Sequence, residues 1–307
     1  MSTSNSHDLY EIFIPSADRD AHLTYGVLPS DQKGLEVGAL NNPIVKPNNG
    51  CIKFIDYADT QTLKVRHAAY PYRVNNMVSV DFVWQGTGSL AAIVGKDNFF
   101  DYFIASHVIE HVPNVLGWFR GIAEVLKPGG VFNLAIPDKR FTFDVGCPES
   151  TLGQLVEADL MSYTHPSIRQ MFDNAYYAKA IEPGVIWANK IVTNSLPAYS
   201  GEIAPQLAYD QAVRIANEKL YFDSHCWIFT PYSFLKLLEG AIKLGLFSFE
   251  VTSFFTTKIN DFEFFISLKK TDLNSDLTEW KSRQLLSISN ALKLVEQQQW
   301  EARLLSE

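Results

Sequence analysis

The stretch Lys33-Gly34-Leu35-Glu36-Val37-Gly38-Ala39-Leu40-Asn41-Asn42 limits the possible folds more than any other part of the chain. Leu35 to Val37 reads as the end of a buried strand, and Gly38 stands where that strand must turn sharply. Glycine tolerates positive φ and lets the backbone come close to a ligand. Glu36 places a carboxylate at the carboxyl end of the strand, which is where open α/β sheets bind ligands.

Further strands follow at intervals. Cys51 to Tyr57 reads as a second buried strand containing Asp56 near its end, and Asp59 to Ala68 as a helix. Val78 to Trp84 reads as a third strand with Gln85-Gly86-Thr87-Gly88 as its exit loop. Phe100 to Ser106 is the fourth, running straight into a helical segment where Val115, Trp118, Phe119, Ile122, Val125 and Leu126 recur at helical spacing. Lys127-Pro128-Gly129-Gly130 supplies stop signals, and Val131 to Pro137 is the fifth strand. Strands alternating with helical patterns predict a parallel sheet covered on both faces.

The alternation breaks after Pro137 and resumes at Pro231 with an amphipathic helix. Two strands then surround the turn Lys258-Ile259-Asn260, a connection short enough to require an antiparallel hairpin. The predicted organisation is an N-terminal arm over 1–32 and a Rossmann-like, doubly wound domain over 33–138 and 231–270. A helical insertion over 139–230 would act as a lid, and 271–307 is a C-terminal helix. The arm would anchor through Tyr10, Ile12, Phe13 and Tyr25. In the last helix Leu285, Ile288, Leu292 and Val295 keep a 3-4 spacing for only about two heptads, which favours docking on the domain over a coiled coil.

A net charge of −8 disfavours non-specific binding to nucleic acid or anionic membrane. The three cysteines, Cys51, Cys147 and Cys226, have no short metal-site spacing and read as reduced thiols of a cytoplasmic protein. Neither a signal peptide nor a long apolar span is visible.

The acid-x-Gly turn LEVGA, Asp56 at the second strand's end, the glycine-containing loop after strand three, DYFIASHVIEHV and LKPGGVFNLAIP stand in one order. Together they resemble a class I S-adenosylmethionine-dependent methyltransferase of the small-molecule, type 11-like branch. The resemblance covers roughly Gly34 to Pro137 and Pro231 to Lys270. It departs at Leu40 and Asn42, which occupy the later positions of the family's acid-x-Gly-x-Gly-x-Gly turn. A dinucleotide pyrophosphate needs those glycines, whereas S-adenosylmethionine has no phosphates and asks less of the turn.

The resemblance implies S-adenosylmethionine as cofactor, with Glu36, Gly38 and Ala39 near its methionine end. Asp56 would accept hydrogen bonds from the ribose hydroxyls, and Thr87, Gly88 and Ser89 would lie by the adenine. Ser106 and His107 would face the methyl group. His107 and His225 are the candidate general bases, because an unperturbed imidazole titrates near the working pH. Asp138, Lys139, Arg140, Asp144, Asp223 and His225 are candidate acceptor-binding residues, the two cations suiting an anionic group. No metal is expected: HVIEH lacks the glutamate directly after the first histidine that HExxH zinc hydrolases carry.

The expected activity is methylation of a small-molecule acceptor, first an oxygen of a sugar or sugar nucleotide. The insertion, rich in Tyr, Phe and Trp, would cover the acceptor, and a homodimer would form through the insertion or the C-terminal helix. The alternatives are a degenerate domain that binds the cofactor or a partner without catalysis, and a nicotinamide-dependent oxidoreductase. Nucleic-acid methylation is disfavoured because Ser106-His107-Val108 stands where an Asn/Asp-Pro-Pro-aromatic motif would be.

Overall fold

A computed structural model describes residues 19–181, 183–188, 193–271 and 277–304. The expected anchors Tyr10, Ile12 and Phe13 lie outside the described residues. Strands are β1 (Lys33–Val37), β2 (Cys51–Asp56), β3 (Phe82–Val83), β4 (Phe100–Ser106), β5 (Leu126–Pro137), β6 (Phe249–Phe255) and β7 (Glu263–Lys270). The shorter helices are α1 (Arg19–Leu23), α2 (Thr60–Arg66), α3 (Pro71–Asn75), α4 (Leu90–Val94) and α8 (Pro183–Ala188). The others are α5 (Val115–Val125), α6 (Leu152–Leu160), α7 (Ile168–Tyr177), α9 (Ala204–Glu218), α10 (Pro231–Lys243) and α11 (Leu277–Leu304).

The strands form one sheet in the order β3-β2-β1-β4-β5-β7-β6. The first five pair in parallel, while β7 runs antiparallel to both β5 and β6. Strand order reverses between β1 and β4, and such a switch point opens a crevice at the strands' carboxyl ends. Glu36, Gly38, Ser106 and His107 sit beside that crevice.

Alternate residues of each strand feed opposite faces, as the pleat requires. Leu35, Val37, Phe103 and Ala105 join Trp118, Phe119 and Ile122 of α5 in the larger core. Tyr102, Ile104 and Ala135 point the other way, against Leu23, Val27 and Val45. The buried Asn133 holds α1 in place by donating from Nδ2 to the carbonyls of Leu23 and Tyr25, both at 3.0 Å.

Three boundaries differ from the sequence reading. The third strand is only Phe82–Val83, because the backbone before it is engaged elsewhere: Val78 N–H donates to Leu40 O and Val80 N–H to Thr60 Oγ1. The fifth strand begins at Leu126, which pairs with Phe100, so Lys127 to Gly130 extend the strand and Gly129 takes the bend at φ 76°. Residues 107–114 are not part of α5. His107 is left-handed (φ 52°), Ile109–His111 form one 3-10 turn, and Asn114 caps α5 through Gly117 N–H.

Between β5 and α10 the chain is helical, with α6 packed on α5 and α7 on α9. Helix α11 docks on α10 and β6 with Ile288, Ala291 and Val295 buried, so its apolar stripe is used within its own chain. Among the described residues, no helix is long and apolar enough to cross a membrane.

Candidate active site

At the carboxyl end of β1 the chain turns with Gly38 at φ 71°, and a Cβ there would stand 2.8 Å from Val108 Cγ2. Leu40, in place of the next glycine, also takes a left-handed conformation (φ 46°). The turn therefore keeps the shape that glycines would give it, at some cost in backbone strain. Glu36 is buried beneath it, its carboxylate accepting from Ile44 N–H at 2.9 Å and Val45 N–H at 3.3 Å. Burial outweighs those two bonds and raises its pKa to about 7.

Asp56 ends β2 almost completely buried. Among the described residues only Tyr57 N–H, at 2.8 Å, reaches its carboxylate. Desolvation raises its pKa to about 6. A buried carboxylate with spare acceptor capacity beside a cavity suits a ligand with hydroxyl donors. The cavity is bounded by Gly38, Asp56 and Tyr57 on one side and by Trp84, Gly86 and Val112 on another. His107, His111, Tyr221 and Asp223 close it, and Arg73 reaches its wall. A second cleft continues past the turn, lined by Arg19, Glu36, Ala39, Ser106, His107 and Phe262 among others.

Two cations converge on Glu263, a buried residue of β7. Arg19 donates from Nε (2.6 Å) and Nη2 (3.0 Å), and His107 Nε2 lies 2.7 Å from Oε2. Arg19 Nη2 also reaches Ser106 Oγ at 2.5 Å. Burial works against a charge on His107, but the bonds and charges of Glu110 and Glu263 prevail and raise its pKa to about 9. Both ring nitrogens of His107 face carboxylates, Nε2 that of Glu263 at 2.7 Å and Nδ1 that of Glu110 at 3.5 Å, an arrangement that suits an ion pair better than a general base.

Other expected residues are placed away from the cavity. Ser89 caps α4 by accepting from Ala92 N–H and donates to Glu124 Oε2 at 2.6 Å. Thr87 O accepts from Trp84 Nε1 at 2.9 Å, which turns the Thr87 to Ser89 loop outward and leaves Trp84, Gln85 and Gly86 as lining. Asp138 is buried and binds Arg140 through both oxygens while accepting from Thr257 Oγ1 at 2.7 Å. Asp138 and Arg140 therefore satisfy each other. The Lys139 backbone N–H is tied to Phe229 O, and Lys139 lines neither cleft. His225 pairs through Nδ1 with Asp144 Oδ2 at 2.6 Å, one layer behind His111, and its ring is 4.7 Å from that of His111. Only Asp223 of the acceptor candidates lines the cavity, with Oδ1 2.8 Å from His111 Nδ1.

Sequence reasoning missed Arg19, Tyr57, Arg73, Trp84 and Tyr221 at the site. Tyr57 was adjacent to a chosen acid. Arg19 carries no local signal, since only the docking of α1 brings it to Ser106.

Fold and site define an α/β protein with an acidic residue at the end of β1, another at the end of β2, and a crevice between them. The sequence matches the family model described as Methyltransferase domain over residues 23–186, just over half of the chain. The chain belongs to this methyltransferase family and is an enzyme that uses S-adenosylmethionine as its cofactor. No curated protein matches it. Among solved structures it is similar to an S-adenosylmethionine-dependent methyltransferase of Mesorhizobium loti (12% identity, 86% of this chain and 96% of that one, TM-score 0.41). It is also similar to a Rhodobacter sphaeroides protein described as a Zn-dependent alcohol dehydrogenase (11%, 86% and 94%, TM-score 0.46). A third is the trans-methyltransferase CalH in complex with S-adenosylhomocysteine (13%, 81% and 54%, TM-score 0.39).

Proposed function

We propose that this methyltransferase acts on an oxygen of a small polar acceptor, of the sugar or sugar-nucleotide class. The observation that carries this is the polar wall formed by Arg73, His111 and Asp223 in the cavity that Asp56 also lines. A hydroxyl-rich molecule finds both donors and acceptors there. The cofactor supplies a methyl group already activated on a sulfonium. The residues present fit it: the unfilled acceptor capacity of Asp56 suits the ribose, and Trp84 and Val112 bring apolar lining to the adenine. Glu36 and Arg19 line the second cleft, a carboxyl group suited to the ammonium and a guanidinium suited to the carboxylate of the methionine end.

The chain's own contribution is positioning and exclusion of water, which can account for most of the rate when the leaving group is already activated. Tyr221 and Asp223 come from the segment between β5 and α10, so that segment walls the cavity as a lid would. Calorimetric titration with S-adenosylmethionine and S-adenosylhomocysteine comes first, followed by a panel of sugars, sugar nucleotides, amines and thiols scored by S-adenosylhomocysteine release. Release with a hydroxylated acceptor supports the reading, and release only with amines or thiols overturns it.

The alternative is a domain that binds the cofactor without turnover, favoured by Leu40 and Asn42 in the glycine turn. Tight binding with no release across the panel selects it.

A further inference from the structure

Glu110 has no part in the methyl-transfer site as described, yet the structure goes to some length to bury it. It sits in the 3-10 turn Ile109–His111 and is completely inaccessible to solvent. Its carbonyl accepts from Cys226 N–H at 2.6 Å and Trp227 N–H at 3.2 Å, which draws His225 alongside the turn. Neither carboxylate oxygen has a hydrogen-bond partner among the described residues. Two imidazole nitrogens stand close to Oε1, His107 Nδ1 at 3.5 Å and His111 Nε2 at 3.8 Å. A carboxylate taken out of water with imidazoles beside it but no hydrogen bond to either oxygen is costly, and native structures seldom leave one so unless something else binds there.

The histidines around it are held from outside. Asp144 takes His225 Nδ1 at 2.6 Å, leaving Nε2 to carry the lone pair of the neutral ring. Asp223 stands 2.8 Å from His111 Nδ1, on the side away from Glu110. The hydrogen bond from Asp144 to His225 is the kind that orients metal-binding histidines and makes them more basic, and Asp223 adds a negative charge beside His111. One donor atom from each of Glu110, His111 and His225 lies within 4.8 Å of the other two.

We propose that Glu110, His111 and His225 bind one divalent transition-metal ion. Two imidazoles and one carboxylate suit first-row ions such as Mn²⁺, Fe²⁺, Co²⁺ or Zn²⁺ and leave coordination positions open. Magnesium, which prefers oxygen ligands and retained waters, matches the set poorly. Because His111 lines the cavity shared with Asp56, an ion held here would stand beside that cavity, where an acceptor oxygen would complete its coordination. That role rests on the acceptor reading above; the metal site itself does not.

The test uses the full chain stripped with a chelator and titrated calorimetrically with Mn²⁺ and with Zn²⁺, with no cofactor or acceptor present. Expected is one ion per chain, a higher melting temperature on loading, and visible ligand-field bands when Co²⁺ is used. Glu110→Gln keeps the shape but removes the charge, and should lower affinity at least tenfold and abolish the thermal shift. Asp144→Asn acts through His225 and should weaken binding by roughly 10- to 100-fold, which keeps the test decisive if Glu110→Gln folds poorly. Absence of binding by the wild-type chain overturns the proposal. Binding that both variants retain at full strength also overturns it, since the ion then sits elsewhere. Titrating the same samples with S-adenosylhomocysteine separates failure of this site from failure of the cofactor site.

Discussion

Asp56 shows how one carboxylate can report on the whole site. Burial lifts its pKa from 3.8 to about 6 in the cofactor-free chain, while acceptance of ribose hydroxyls favours the ionised form. Affinity for S-adenosylhomocysteine should therefore weaken as pH falls below about 6 and level off above it. Asp56→Asn should lose roughly 10- to 100-fold in affinity at pH 8, the equivalent of about 1.5–3 kcal/mol, and should flatten that pH profile. Calorimetry at pH 5 and pH 8 checks both, and a variant that binds like wild type would remove Asp56 from the ribose site. Asp138 gives the opposite case. It is buried and accepts from Thr257 and the half-exposed Arg140, so Asp138→Ala should cost about 1–3 kcal/mol of stability, chiefly by leaving the buried Thr257 hydroxyl without its acceptor. Chemical denaturation should show that loss while cofactor affinity in the folded fraction stays the same. The place of Asp56 at a strand end was legible because it stands in a known order of motifs. The pairing of Asp138 with Arg140 was not legible, because a charged pair next to a strand end looks the same in sequence whether it faces a ligand or itself.

At the level of elements, the parallel strands and α5 were readable because their apolar residues follow one period for long enough. The errors fell where the backbone's partners are distant in sequence. Phe82–Val83 is short because Leu40 and Thr60 take the preceding N–H groups, and β5 is long because Leu126 finds Phe100. Lys270 was equally hidden. It ends β7, yet its Nζ donates to Ala123 O (2.5 Å), Leu126 O (2.7 Å) and Asn98 Oδ1 (2.7 Å), two of them carbonyls at the carboxyl end of α5. A cation there satisfies carbonyls left over by the helix and sits well with its dipole. Lys270→Met keeps the aliphatic stem but leaves those acceptors without a partner, and should cost about 1–3 kcal/mol. Denaturant midpoints measure it; a change below half a kcal/mol would mean that water replaces the ammonium group. Gly34 carries a tighter constraint, since a Cβ on it would fall 2.0 Å from Tyr102 Cζ. Gly34→Ala should be strongly destabilising in wild type and much less so beside Tyr102→Leu, a coupling that a double-mutant cycle resolves.

The whole molecule poses one problem that its sheet order creates. β6 is an edge strand, and an unprotected edge with buried aromatic residues such as Phe249 and Phe254 is a template for pairing with another chain. Helix α11 answers that. Gln284 Nε2 donates to Phe247 O at 3.0 Å and Phe249 O at 2.7 Å, and Ser287 Oγ accepts from Val251 N–H at 3.2 Å, so side chains of the helix take up backbone groups on and beside that edge. Ile288, Ala291 and Val295 cover the apolar surface next to it. A helix whose polar residues serve the edge and whose apolar stripe fills the core is part of the domain, and this also explains why its short 3-4 pattern does not extend into a coiled coil. Ending the chain after Thr271 should therefore lower the melting temperature and convert a well-behaved species into oligomers that grow with concentration, as light scattering after size exclusion would show. Gln284→Ala with Ser287→Ala should keep the apolar cover and lose only the edge contacts, giving a loss of about 1–3 kcal/mol without oligomers. If the truncated chain keeps both its melting temperature and its size, the core closes without α11 and the edge is protected by something other than this helix.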